Sequence, residues 1–314
     1  DDYGFNSLVI EEDLNGFLLY LNNSHQKAKS TEDQIRIRRG SLDITQLINS
    51  YKSAGIEFVG PHYYIPSNDN LWNFYQGAEI SWAELEKDAD AKRSIFRQFY
   101  NSVKDNIGKN SRTLTLWHRP GSGATTLARR LGYELYQDDL SGVVDCTPIH
   151  IVRFNNHTMD YLNDLSLKLD GRSIFAIVES KNINKTNFTK LQSGVSRSKI
   201  KVTFLYLETY TGNFEKANQS NQWLLEDRLT QSDEDKFIAK YTENGLKEEV
   251  LAEAKDLQST LEVIDFPILL TEEKTNETSL IEYIKSWLNE LPEGLRDFCG
   301  FVAFAFKYSG SSVN

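Results

Sequence analysis

The chain of 314 residues is long enough for about two or three domains, and its 39% hydrophobic and 25% charged residues are typical of a folded protein. Its net charge of −10 argues against a surface devoted to nucleic acid, because such surfaces carry excess Lys and Arg. Two cysteines are too few for a disulfide framework, which favours a reduced, cytoplasmic compartment. No apolar run approaches the roughly 20 residues of a membrane span, so no membrane contact is expected.

The N-terminal third is divided by turn signals. Residues 1–66 are predicted to form a small N-terminal segment, and Pro66 lies at its end. Residues 67–111 are predicted to form a linker and a brace helix. Because the chain begins without Met and ends soon after a strongly apolar helical stretch, we expect it to be a piece of a longer protein.

Residues 112–213 alternate apolar strands with amphipathic helices, a pattern typical of βαβ units and a mostly parallel sheet. The predicted strands are Leu114–Trp117, Thr147–Phe154, Ile174–Val178 and Val202–Leu207. The predicted helices are Thr125–Tyr136, Met159–Leu169 and Phe188–Val195. The sequence therefore predicts an α/β fold with a parallel-sheet core of the P-loop NTPase type.

The C-terminal third, residues 214–314, is predicted to be helical. No strand of the parallel type is expected after Asn213. Helices are predicted at about 233–242, 246–262, 278–291 and 293–308 from their apolar periodicity.

A glycine-rich turn joins the first predicted strand to the first predicted helix. Such a turn can direct backbone N–H groups at an anion, and the helix that follows directs its positive end at the same point. Thr125 stands where a Mg²⁺-binding hydroxyl is needed, and the Thr126 hydroxyl could reach an α-phosphate. The candidate nucleotide-binding residues are Pro120, Gly121, Ser122, Gly123, Ala124, Thr125 and Thr126.

Two positions depart from the G-x-x-x-x-G-K-[ST] pattern of a phosphate-binding loop. His118 replaces the first glycine, and Ala124 replaces the lysine that reaches the β- and γ-phosphates. A glycine-rich turn that binds nothing is the alternative interpretation. The order of strand, loop, helix and a later strand ending in a carboxylate favours descent from a P-loop NTPase.

The third predicted strand ends in a candidate catalytic and metal-binding carboxylate. Glu179 follows the apolar run, where an acid can lie near Mg²⁺, and Ser180 stands where a second acid often activates water. Thr125 and Glu179 are therefore the candidate Mg²⁺ ligands. Without the lysine and the second acid, little is left to stabilise transition-state charge, so the sequence favours nucleotide binding over fast hydrolysis.

With these residues in view, the chain resembles the P-loop NTPase region of STAND-type signalling proteins. More narrowly, it is similar to the vertebrate antiviral sterile-alpha-motif-containing proteins and their bacterial anti-phage relatives. The resemblance covers about residues 70–310, and members of that group also tend to lose the loop lysine. The matching stretches are Phe74–Trp82, His118–Ala128, the strand ending at Glu179, Val202–Leu207, Leu224–Asp235 and Leu280–Tyr308.

The resemblance implies a regulatory switch that binds ATP or ADP with Mg²⁺ and controls self-association in innate antiviral or anti-phage defence. It also implies that residues 1–66 are the tail of a preceding effector domain, and that residues 214–314 form a helical lid and the start of a further, superhelical module. Effector and sensor domains are then expected elsewhere in the parent chain, with nucleic acid as a candidate partner of those other domains. Two alternatives stay open at this point: a working Mg²⁺-dependent ATPase, and a vestigial loop in a protein–protein interaction scaffold.

Overall fold

The computed structural model describes residues 44–60, 72–75, 77–109, 112–169, 171–210, 221–257, 261–267, 269–270 and 294. The predicted helices at 278–291 and 293–308, and most of the N-terminal segment, lie outside these ranges. None of the helices within them combines the length and apolar character needed to cross a bilayer.

The described helices are α1 Ile44–Ser53, α2 Trp72–Tyr75, α3 Trp82–Glu86, α4 Ile95–Lys104, α5 Ala124–Leu140, α6 Thr158–Lys168, α7 Lys185–Ser198, α8 Gln231–Glu243 and α9 Glu248–Leu257. The described strands are β1 Ile56–Phe58, β2 Arg112–His118, β3 Cys146–Ile151, β4 Ser173–Glu179, β5 Val202–Thr209 and β6 Gln222–Leu225.

The six strands form one sheet in the order β1-β3-β4-β5-β2-β6. Every neighbouring pair is parallel except β1 and β3, which are antiparallel. The mixed α/β fold with a mostly parallel sheet is confirmed, and so are the four predicted strands, which became β2 to β5. Because parallel strands end at a common edge, the residues after β2 and β4 come together there.

Two strands were not predicted. β6 lies beyond Asn213, within the range assigned to the helical lid, and pairs in parallel with the outer side of β2. The expectation of no further strand was therefore wrong. At the opposite edge, β1 pairs with β3, so part of the predicted N-terminal segment belongs to the sheet. Both strands are edge strands of three or four residues, too short for apolar periodicity to identify.

Helices cover both faces of the sheet, and strand alternation decides which side chain meets which layer. In β4, Phe175 and Ile177 face the core cluster that includes α5, whereas Ile174 and Val178 face the cluster that includes α1, α6 and α7. Residues of β4 are buried throughout, as a central parallel strand requires. Glu179 has the same parity as Ile177 and therefore points towards α5.

The predicted brace lies against the α5 side. Ser81 begins α3 with a capping box, in which its hydroxyl accepts from the Glu84 N–H and the Glu84 carboxylate accepts from the Ser81 N–H. Tyr75 and Trp82 are buried, as the packing of this segment against the core requires. Residues 77–93 of the brace therefore lie directly beside the glycine-rich turn.

Candidate functional site

The glycine-rich turn lies at the carboxyl edge of the sheet, between β2 and α5. Gly121 and Gly123 have φ values of +80° and +79°, in the left-handed region that favours glycine. Gly123 is the N-cap residue of α5 and brings no side chain to cap it. The first-turn N–H groups of this 17-residue helix therefore face the turn, an arrangement suited to an anion.

Each predicted loop residue has a defined place in this turn. Pro120 and Gly121 are exposed, Ser122 and Ala124 are buried, and the two threonines lie partly exposed in the first turn of α5. The Ser122 Oγ atom is buried without a hydrogen-bond partner among the described residues. A buried hydroxyl of this kind is a polar group that a ligand could satisfy.

Arg93, in the brace, is hydrogen-bonded to the backbone of the glycine-rich turn. Its guanidinium is buried and donates to the carbonyl oxygens of Ser122 and Glu226, at 3.2 and 3.0 Å, and to that of Arg228 at 3.3 Å. Burial lowers the pKa of Arg93, although Asp233 nearby acts in the opposite direction. The shape of the turn is therefore tied to the segment that connects β6 to α8.

Thr125 and Glu179 meet at the sheet edge. The Thr125 hydroxyl donates to Glu179 Oε2 at 2.8 Å, although the two residues are separated by 54 positions in the chain. Glu179 is 4% exposed, and α5 carries Thr125 over the end of β4. The two candidate Mg²⁺ ligands thus lie within hydrogen-bond distance of each other.

Two further side chains surround the Glu179 carboxylate. His150 of β3 is buried, and its Nε2 atom lies 3.2 Å from Glu179 Oε1. Lys181, two residues after Glu179, places its Nζ atom 3.1 Å from Glu179 Oε2 and also pairs with Glu79 of the brace. Burial raises the pKa of Glu179, but His150, Thr125 and Lys181 outweigh that effect and lower the pKa from 4.5 to about 2.

This lowered pKa makes a testable contribution to acid stability. Because the folded pKa lies below the unfolded one, the charged carboxylate stabilises the fold above about pH 4.5, and this stabilisation is lost as the pH falls towards about 2. We expect the free energy of unfolding of wild type to exceed that of Glu179→Gln near neutral pH, and the difference to shrink over that acid range. Urea unfolding of both proteins at several pH values measures it; a difference that does not vary with pH would contradict the expectation.

The arginines of the loop helix have other partners. Arg129 donates to the Ile80 carbonyl and, at 2.6 Å, to Glu79. Arg130 is 1% exposed and forms a buried ion pair with Asp90. Because both guanidinium groups are already bound to protein oxygens, these contacts do not favour neutralisation of a phosphate by either arginine.

A cavity opens above the turn, with Gly121 to Thr126 on one wall. Its other walls come from the brace, from α8 and from residues 263–267, and they include aromatic side chains. The Phe and Tyr residues among the described lining are Phe74, Phe96, Phe237 and Tyr241. The cavity thus combines an anion-binding wall with an apolar region, the combination that a nucleotide needs for its phosphates and its base.

The residues present fit a nucleotide with Mg²⁺ better than a metal ion alone. Among the described residues, no group of three or more His, Cys, Asp or Glu side chains could hold a metal. Mg²⁺ does not require such a group, because it is usually held by one or two protein oxygens together with phosphates and water. Thr125 and Glu179 would supply those oxygens, and the glycine turn with the Ser122 hydroxyl, which has no partner among the described residues, would supply a place for phosphate.

The fold and turn define a mixed α/β protein with a P-loop-like core. No family model and no curated protein matches the chain. Among solved structures, the chain is similar to a structure of C. elegans PCH-2, with a TM-score of 0.31 and 14% identity over 57% of this chain and 49% of that one. The match thus covers about half of the PCH-2 chain. This likeness is too slight to bear on function.

Sequence reasoning missed His150 and Lys181 as neighbours of Glu179. Strand alternation could have shown that His150 lies on the same face as Glu179. Ile149 and Ile151 face the α1 side of the sheet, so His150 between them faces the α5 side. Lys181 could be expected at the same sheet edge, since it follows β4 directly.

Proposed function

We propose that this segment is a nucleotide-binding switch that takes ATP or ADP with Mg²⁺ through the turn from Pro120 to Thr126. The observation that carries the proposal is the Thr125–Glu179 hydrogen bond at the base of a glycine turn that opens into a cavity. An acid from one strand and a hydroxyl from the loop helix are the pair that a Mg²⁺-bound phosphate requires.

Hydrolysis by this site is weak or absent in our proposal. Ala124 offers no charge to the transferring phosphate, and Ser180 stands beside Glu179 without a carboxylate that could activate water. A working Mg²⁺-dependent ATPase is the rival, and steady-state phosphate release distinguishes the two.

The biological setting is inferred from the sequence resemblance to STAND-type antiviral and anti-phage proteins. We propose that the bound nucleotide controls self-association of a larger defence protein whose effector and sensor domains lie elsewhere in the parent chain. Sedimentation of the segment with ATP, with ADP and without nucleotide tests this. A mass that does not depend on nucleotide would contradict the role in self-association but not nucleotide binding.

The packing of residues 263–264 against the glycine-rich turn favours a second candidate function, an interaction scaffold with a vestigial loop. A Cβ atom placed on Gly121 would lie 3.2 Å from Ile264 Cβ, and one on Gly123 would lie 3.3 Å from Val263 Cγ1. Residues 263–264 therefore pack directly on the turn. If wild type binds no ATP at millimolar concentrations, the loop is vestigial and the scaffold is the better proposal.

The main test is calorimetry with MgATP and with ATP in a chelator. Wild type is expected to bind MgATP more tightly, because Thr125 and Glu179 share the ion. Thr125→Ala should weaken MgATP binding by about tenfold or more and remove most of the Mg²⁺ dependence.

Thr189→Ala is the matched control, because the exposed Thr189 hydroxyl donates only to the Lys185 carbonyl within α7. This variant makes the same chemical change away from the turn and should bind as wild type does. Equal affinities for Thr125→Ala and wild type would contradict the Mg²⁺ role of Thr125.

A further inference from the structure

We propose that Lys181 provides the positive charge on the terminal phosphates that Ala124 cannot provide. This inference rests on the proposed nucleotide binding and adds to it the residue that distinguishes ATP from AMP. Lys181 is not part of the glycine turn; it follows the end of β4 and contacts the candidate Mg²⁺ ligand Glu179.

The first argument is position. Glu179 Oε2 accepts from the Thr125 hydroxyl at 2.8 Å and lies 3.1 Å from Lys181 Nζ. The Lys181 ammonium and the Thr125 hydroxyl therefore contact the same oxygen atom of Glu179. Any phosphate that shares Mg²⁺ with Thr125 and Glu179 comes within the reach of this lysine side chain.

The second argument is that neighbouring cations are held elsewhere. Arg130 is enclosed by carboxylates, Arg93 donates to three backbone carbonyls, and Arg129 is bound to Ile80 and Glu79. Arg119 pairs with Asp227. The Lys181 side chain is 47% exposed, as that of Arg119 is, and ends a flexible stem; unlike Arg119, it contacts the candidate Mg²⁺ ligand Glu179.

The third argument is that Lys181 can leave its present partners at little cost. Glu79 keeps its contact with Arg129 if Lys181 moves, and Glu179 keeps Thr125 and His150. Lys181 is therefore a charged, mobile group beside the turn, as a lysine at position 124 would be.

The alternative is that Lys181 is only a counter-ion for Glu79 and Glu179. A structural role of that kind would change the stability of the free protein and would affect all nucleotides alike. A phosphate contact instead makes the effect depend on the number of phosphates and allows a lysine at position 124 to replace it.

The experiment is calorimetry of Lys181→Gln with MgATP, MgADP and AMP, together with thermal unfolding without nucleotide. We expect MgATP binding to weaken by about tenfold or more, MgADP by less, and AMP by less than about threefold. The double variant Lys181→Gln with Ala124→Lys should recover at least all of the lost ATP affinity. Lys185→Gln, a matched loss of charge at a side chain that is 74% exposed and pairs with Glu208, should bind as wild type does.

The outcomes distinguish a failure of nucleotide binding from a failure of the role of Lys181 alone. If wild type binds no ATP, nucleotide binding itself fails. If wild type binds ATP and Lys181→Gln binds it equally well, only the role of Lys181 is overturned. An equal loss of AMP and ATP affinity, or no rescue by the lysine at position 124, also overturns it and assigns Lys181 to structure.

Discussion

Replacement of Asp90 by Ala is expected to destabilise the protein by about 3–5 kcal/mol, because it leaves the buried Arg130 guanidinium without its buried partner. Arg130 is 1% and Asp90 5% exposed. The Arg130 Nε atom lies 3.0 and 3.1 Å from the two Asp90 oxygens, and the guanidinium also contacts Asp88 and Glu134. Urea unfolding of both proteins gives the difference in free energy.

Asp88→Asn is the matched control for this prediction. Asp88 pairs with the same guanidinium, but its side chain is 63% exposed, so loss of its charge should cost less than about 1 kcal/mol. The pair can also be removed entirely: Asp90→Leu with Arg130→Met leaves no buried charge and should recover much of the loss. A cost for Asp90→Ala no larger than that for Asp88→Asn would show that the buried pair does not hold the brace to α5.

The parallel core could be predicted from the sequence because its strands are long and apolar enough to be recognised alone. β4 carries Ile174 to Val178 without a polar residue, as a strand buried on both faces must. The edge strands could not be found this way. Gln222 to Leu225 has no alternation, and its identity as a strand depends on pairing with β2, a non-local contact.

The residues of the candidate site that lie at junctions of strand and helix could be predicted from the sequence. Those whose position depends on strand register or on long-range packing could not. Thr125 and Glu179 were found because each lies at a recognisable junction of strand and helix. Arg130 gave no local sign of burial, since its partner Asp90 comes from the brace, 40 residues away. His150 likewise depends on the register of β3 against β4, which places it opposite Ile177. Such long-range pairings are decided by packing of the whole sheet.

The last expected result concerns the missing loop lysine. Ala124→Lys should tighten MgATP binding by about tenfold in an otherwise wild-type chain, since a charge-assisted contact to phosphate contributes about 1.5–3 kcal/mol. Ala124 begins α5 and lines the cavity, so the new stem has a path towards a bound nucleotide. AMP binding should change little, because AMP lacks the phosphates that the new ammonium would contact. Calorimetry with both nucleotides measures the two effects.

The size of this gain depends on Lys181, and that dependence makes the test informative. If Lys181 already provides part of the charge, the added lysine should strengthen ATP binding more in the Lys181→Gln background, by up to about a hundredfold. Ala124→Gln controls for the longer side chain without its charge and should not tighten ATP. Equal gains from Gln and Lys would attribute the effect to packing, and equal gains for AMP and ATP would contradict a contact with the terminal phosphates. Additive effects of Ala124→Lys and Lys181→Gln would mean that the two ammonium groups do not serve the same phosphates.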